Sequence, residues 1–204
     1  QAQEFIAKET QQKTLFDHIA GLSPATCVIT ESRPCLVYDI LANVYHKLGF
    51  STYPDELIKD LVIARIYAPV SKRETRDILS DAFGREYSLL TVYRHLKKAI
   101  KQGLKDTFQK ELIRFAHEQL HDTLNLVFYD VTTLYFESTA QEGMKDFGFS
   151  KDHRPGEVQI VLGLVVNGQG FPLYFDVFSG KTFEGHTFLT VIEGVQKLLN
   201  NPDL

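Results

Sequence analysis

The spacing of apolar positions divides the chain into a long helical stretch and a shorter stretch of strands. Leu36, Ile40, Leu41, Val44, Tyr45 and Leu48 recur at helical spacing. Leu57, Leu61 and Ile66 mark the next helix, with Pro54 expected in its first turn, where a missing N–H costs nothing. Ser71-Lys72-Arg73-Glu74 has the form of a capping box. Ile78, Leu79 and Phe83 continue that helix, and Gly84 is placed to stop it. A further helix from about Ser88 carries Leu89, Val92, Tyr93, Leu96 and Ile100 on one side and Arg94, Lys97, Lys98 and Lys101 on the other. Leu104, Phe108, Leu112, Phe115 and Leu120 mark another.

Near Asn125 the pattern turns extended. Residues 124–137 are rich in β-branched and aromatic types with apolar groups on both faces, which predicts a buried central strand. Residues 158–166 predict a second strand, Asn167-Gly168-Gln169-Gly170 a hairpin turn, and 171–178 a third strand. Phe188, Val191, Ile192, Val195, Leu198 and Leu199 predict a closing amphipathic helix. The expected fold class is α+β: a helical region over 1–123, then three strands and a helix over 124–204. Three strands and one helix make a thin core, so the second part resembles half of a domain.

Charge sharpens this division. The net charge is -4, but residues 1–123 carry 17 basic and 16 acidic side chains, against 5 and 10 in residues 124–204. Between Arg85 and Lys105 six basic residues face one acid, Glu86. A basic segment followed by an acidic module suits a protein that holds DNA with one part and metal ions with another. Cys27 and Cys35 give neither a disulfide framework nor a metal-ligand set. No segment is long and apolar enough to span a bilayer, and the first residues are not a signal peptide, so a cytoplasmic protein without membrane contact is expected. The chain begins at Gln1 and its only methionine is Met144, which leads us to expect a fragment or a processed product.

Asp130 is the residue that most needs an explanation. It lies in the most hydrophobic predicted strand, with Leu126, Phe128, Thr132 and Leu134 on its own face. A buried carboxylate there must be hydrogen-bonded, paired or bound to a cation. It is either a structural partner for a turn or an arginine, or an anchor for a metal ion.

The wording around it carries a resemblance. Tyr129-Asp130-Val131-Thr132-Thr133-Leu134-Tyr135-Phe136-Glu137 resembles the first catalytic motif of DDE transposases of bacterial insertion sequences, in the insertion-sequence-four-like superfamily. Residues 147–155, Gln159 to Val166, Gly170-Phe171-Pro172 and Val177 to Thr182 continue it in order, so it covers about 124–199. It is looser over 60–120, where Ala64-Arg65 and Val70-Ser71-Lys72 resemble the family's helical front.

The resemblance implies the first half of an RNase H-like core, with Asp130 as catalytic residue and metal ligand. It implies two Mg²⁺ ions, or Mn²⁺, in a full-length enzyme that cuts and joins DNA phosphodiesters. The second Asp and the Glu of such a site would lie beyond Leu204, so the chain alone is expected to be inactive, with an unpaired edge and an exposed apolar flank on its first strand. Asp203 sits in a polar turn and is not assigned, and Asp176 and Glu184 match no catalytic position. The implied partners are double-stranded DNA, as terminal repeats and target, and optionally a second copy of the chain.

The DNA-binding candidates are Arg94, Lys97, Lys98 and Lys101 on the basic helix, and Lys151 and Arg154, which with His153 make a cationic cluster. That cluster is equally well a solvated loop. Residues 71–101 resemble a helix–turn–helix, against the alternative of a plain basic surface. Two other classes stay open. One is a DNA-binding or regulatory piece without chemistry. The other is a zinc peptidase, because His117-Glu118-Gln119-Leu120-His121 matches the H-E-x-x-H pattern, which on a helix places two histidines one turn apart.

Overall fold

The computed structural model describes residues 33–137, 140–148 and 156–199. Every element below belongs to the unit Cys35–Leu204. In order these are α1 (Cys35–Lys47), a 3₁₀ turn (Phe50–Thr52), α2 (Glu56–Tyr67), α3 (Lys72–Phe83), α4 (Leu89–Lys101), α5 (Leu104–Glu118), β1 (Val127–Phe136), β2 (Val158–Asn167), β3 (Pro172–Ser179) and α6 (Glu184–Leu199). The described residues thus form a mixed α+β protein of six α-helices and one three-stranded antiparallel sheet, ordered β1-β2-β3. Among the described residues no helix is long and apolar enough to cross a membrane.

Local chemistry sets the helix ends. The capping box at Ser71 and Glu74 is complete in both directions, and Gly84 ends α3 in the left-handed conformation at φ 64°. Ser88 caps α4 by accepting from the Thr91 amide. Pro54 is not in a first helical turn as the spacing suggested. Asp55 caps α2 through the Ile58 amide, so the helix begins at Glu56 and Pro54 lies two residues outside it.

Two cores meet on α5. Tyr53, Ile58 and Ala99, with Leu61, Leu96, Leu104 and Phe108 around them, hold the helical part together. Ile113 and Ala116 of α5 join Val165, Leu173 and Tyr174 of the sheet and Val191, Val195 and Leu198 of α6 in the other. Gln109 adds a hydrogen bond of 2.6 Å from its Nε2 to the Phe175 carbonyl, and Lys105 an ion pair of 2.6 Å with Asp176.

A buried polar cluster ties the helical part together. Asp60 of α2 is 1% exposed and accepts hydrogen bonds from Tyr38 Oη of α1 at 2.5 Å and Tyr87 Oη at 2.7 Å. Arg85 Nε stands 3.9 Å from the same carboxylate, with its guanidinium 5.3 Å from the centre of the Tyr38 ring. Arg85 and Tyr87 belong to the α3–α4 connection, so one carboxylate fixes α1, α2 and the approach to α4.

The sheet departs from expectation in one respect. β1 is an edge strand, and β2 is the central one. No residue of β1 is fully buried: its odd-numbered positions are half-buried, and Phe128, Asp130, Thr132 and Leu134 are exposed. The odd face packs on α6, with Tyr129 Oη 2.5 Å from Thr187 Oγ1 and its ring 5.6 Å from that of Phe188. Both α5 and α6 contribute to the core on that face. The even face is apolar too, but no described element covers it. Hydrophobicity on both faces of a strand predicts burial on both, yet no described element lies over one face of β1.

The hairpin between β2 and β3 forms where the sequence placed it. Asn167 Oδ1 accepts from the amides of Gln169 at 3.0 Å and Phe171 at 2.7 Å, and Gly170 turns the chain at φ 83°.

Candidate functional site

The basic helix gives the clearest site. Val92 and Ala99 of α4 are buried, Ala99 within the helical core, which directs the other side outward. Arg94, Lys97, Lys98 and Lys101 are all exposed. None of the four makes an ion pair or side-chain hydrogen bond with another described residue. No acid occurs within α4. With Leu90 and Tyr93 the four cations line an open depression of about 640 Å³. Four cations left without protein anions produce a positive surface that attracts polyanions.

The six basic residues between Arg85 and Lys105 therefore divide. Arg85 and Lys105 are occupied, one at Asp60 and the other at Asp176. Sequence spacing alone put all six into one basic segment. The partners of these two lie far away in the chain, and no local pattern announces them.

Asp130 is exposed, not buried as its strand pattern suggested. Along the sheet it sits opposite Leu164, which sits opposite Phe175. Phe128 and Thr132 flank it along β1, and Ile160, Leu162, Leu164 and Val166 of β2 share its face. Asp130 is thus the single charged side chain that the described strands place on that face. It makes no hydrogen bond or ion pair with another described residue. Its carboxylate is held on a strand, accessible, and free to accept a ligand.

Asp176 does not join it. The register pairs Val131 with Gly163 and Gly163 with Asp176, so Asp176 lies on the opposite face of the sheet. There it bonds Lys105 and receives the Tyr174 hydroxyl at 3.3 Å. Burial, reinforced by the Asp176 charge, pushes the Tyr174 phenol up to about 12. Asp176 is a structural tie between β3 and α5. Among the described residues no three or more His, Cys, Asp or Glu side chains converge to hold a metal ion. Lys151, His153, Arg154 and Asp203 lie outside the described residues.

The H-E-x-x-H pattern loses its helix. α5 ends at Glu118, and His121 has a left-handed backbone at φ 52° in the following turn. His117 and His121 are therefore not one turn apart on a single helix face, the arrangement a shared zinc ion requires.

Between β1 and β2, the described residues 140–148 are pinned at the far end of the sheet. Asp146 and Gln159 exchange backbone hydrogen bonds, Gly180 donates to the Met144 carbonyl, and Lys181 pairs with Asp146 at 3.0 Å. A Cβ on Gly180 would fall 2.2 Å from the Gln159 carbonyl oxygen, so this close approach requires glycine.

The described residues define a mixed α+β protein with an acid-free basic helix at one site and a lone carboxylate on an open sheet face at another. No protein-family model, no curated protein and no solved structure matches this chain.

Proposed function

We propose that this chain belongs to a metal-dependent enzyme that cuts and joins DNA, a DDE transposase with an RNase H-like core. The observation that carries this reading is the position of Asp130. It is the lone charge at the middle of the first strand of an antiparallel β1-β2-β3 meander, and α6 follows that meander in the chain. The free cations of α4 supply what such an enzyme needs upstream, a surface for double-stranded DNA. A homodimer is compatible with this reading.

Asp130 fits one corner of a two-ion site. Mg²⁺ takes hard oxygen donors and binds through few carboxylates plus water and phosphate oxygens. One carboxylate does not hold two ions at fixed spacing, so further acidic ligands would have to come from outside the described residues. Two bound ions would supply activation of water, or of a DNA 3′-hydroxyl, for attack on a phosphodiester. The contribution of this chain would be to fix Asp130 on a strand and to grip DNA through Arg94, Lys97, Lys98 and Lys101. The second reading is a DNA-binding or regulatory piece without chemistry. The isolation of Asp130 from other described carboxylates favours it.

The test is an excision and insertion assay. The natural gene encoding these residues is expressed beside a donor plasmid carrying the DNA that flanks it. Asp130→Asn keeps the shape of the side chain and removes its charge, so products should vanish while duplex binding stays intact. Products retained at wild-type level would remove Asp130 from the chemistry. Duplex binding with no products from the unsubstituted gene would favour the second reading.

A further inference from the structure

We infer that α4 divides its DNA-facing side between two tasks. Arg94, flanked by Leu90 and Tyr93, reads base edges in the major groove, and Lys97, Lys98 and Lys101 hold backbone phosphate. This rests on the reading of α4 as a DNA-binding helix and deepens it by naming the residue that sets sequence preference.

Three observations carry the division. The first is the arrangement of α2, α3 and α4. α3 ends at the left-handed Gly84, a short connection follows, and α4 packs back on α2 through Ala99, Ile58 and Leu61. Three short helices in this relation present the last one outward, as a helix–turn–helix does, and the first residues of such a helix meet base edges. Leu90, Tyr93 and Arg94 occupy the N-terminal half of α4, and the three lysines occupy the C-terminal half.

The second is the exposure of apolar groups beside Arg94. Leu90 is 77% exposed and Tyr93 45%. Ile100, in the lysine half, is 79% exposed as well, but of these apolar residues Leu90 and Tyr93 are the ones that line the depression with Arg94. Apolar side chains beside an arginine suit the major groove, where thymine methyls lie next to hydrogen-bonding edges.

The third is the chemistry of the cations. The guanidinium is a planar fork that matches guanine O6 and N7 in a bidentate pair, whereas the lysine ammonium is a hydrated point charge suited to phosphate. Arg94 is the only arginine of α4 and lies in the reading half. Lys97, Lys98 and Lys101 follow Arg94 by about one to two helical turns, a rise of roughly 4.5 to 10 Å toward the C-terminal end of α4. With the N-terminal half of α4 at the base edges, the lysines of the C-terminal half extend their long side chains to the flanking backbone.

The experiment is selection of bound duplexes from a library with 20 randomised base pairs, using the whole chain, followed by affinity measurements on the enriched and scrambled duplexes. The wild type is expected to enrich a motif with an invariant guanine, preferred about 5- to 150-fold over other bases at that position. Arg94→Ala should lose the preference at that position alone, and Arg94→Gln should move it toward adenine. Replacing Lys97, Lys98 and Lys101 by Ala should weaken binding to all sequences and leave the motif unchanged. The same motif from Arg94→Ala and Arg94→Gln as from the wild type overturns this inference and leaves the DNA-binding reading standing. No binding of any duplex by the wild type at 50 mM salt overturns both.

Discussion

Replacing Asp60 with alanine should cost this protein more than any other single polar substitution in its helical part. The carboxylate is 1% exposed and accepts hydrogen bonds of 2.5 and 2.7 Å from Tyr38 and Tyr87. A hydrogen bond to a charged group contributes about 1.5–3 kcal/mol, and breaking a buried ionic cluster by removing one member costs about 3–5 kcal/mol. Arg85 is 46% exposed and regains water, so its ion pair adds little. The two tyrosine hydroxyls bear most of the loss, because both lose their acceptor, Tyr38 in a buried position and Tyr87 in a half-buried one. An overall loss of about 3–5 kcal/mol follows, a large part of the ~5–15 kcal/mol of a typical domain.

Equilibrium urea unfolding measures this directly. With a slope of about 1–3 kcal/mol per molar, the midpoint should fall by about 1 M or more. Asp60→Asn keeps one acceptor oxygen and should fall between wild type and Asp60→Ala. Tyr87→Phe removes a single donor and should cost less than Asp60→Ala. A midpoint for Asp60→Ala within about 0.3 M of wild type would refute the reasoning, because it would mean that the hydroxyls find water or other acceptors. A larger loss for Tyr87→Phe than for Asp60→Ala would refute it as well, by showing that ring packing and not the carboxylate holds the cluster.

Three further outcomes are expected. Lys97, Lys98 and Lys101 replaced together by Ala should flatten the dependence of log affinity on log salt for duplex DNA by up to about 2.7, near 0.9 per lost phosphate contact; an unchanged slope removes them from the interface. The 204-residue chain incubated with Mg²⁺ or Mn²⁺ should not cleave plasmid DNA, since Asp130 is the one carboxylate that the described strands place on its face; metal-dependent cleavage lost in Asp130→Asn would overturn this. Stability should fall between pH 10 and pH 12, because burial pushes Tyr38, Tyr45 and Tyr174 up to about 12 from an ordinary 10.0. The unfolded phenols lose their protons first, so the stabilisation is complete below pH 10 and disappears as pH rises through 12, by up to about 2–3 kcal/mol per tyrosine; equal urea midpoints at pH 9 and 11.5 would contradict it.

What was legible in the sequence was what local chemistry decides. Ser71, Glu74, Gly84 and Ser88 fix helix ends through bonds to neighbours three or four residues away, and each stands where its spacing placed it. Asn167 and Gly170 fix the hairpin in the same way. Pro54 misled because Asp55, next to it, is the stronger capping group and took the helix start. The pairings of Asp60 with Tyr38, Tyr87 and Arg85, and of Lys105 with Asp176, span more than twenty residues and leave no periodic trace. Of the site residues, the four cations of α4 were visible because helical spacing puts them on one face. The exposure of Asp130 was not visible. A strand apolar on both sides gives no sign of which side its own domain covers.

That exposure has an energetic consequence. The Asp130 carboxylate is exposed to water, and the apolar residues around it, with Phe128 at 52% and Leu134 at 43% exposure, are what the open face leaves unburied. Any layer that packs on this face gains from burying them, at about 25 cal/mol for each Å² removed from water. The same layer must strip water from the carboxylate, which costs several kcal/mol if the charge is left alone. Covering the face is therefore favourable only if something compensates Asp130: a cation, a basic side chain, or a set of hydrogen-bond donors. Burial of the sheet and ligation of Asp130 are in this way one coupled event. A divalent ion bound at Asp130 would strengthen the packing of whatever covers β1 and β2, and Asp130→Asn would weaken ion binding while easing the packing itself.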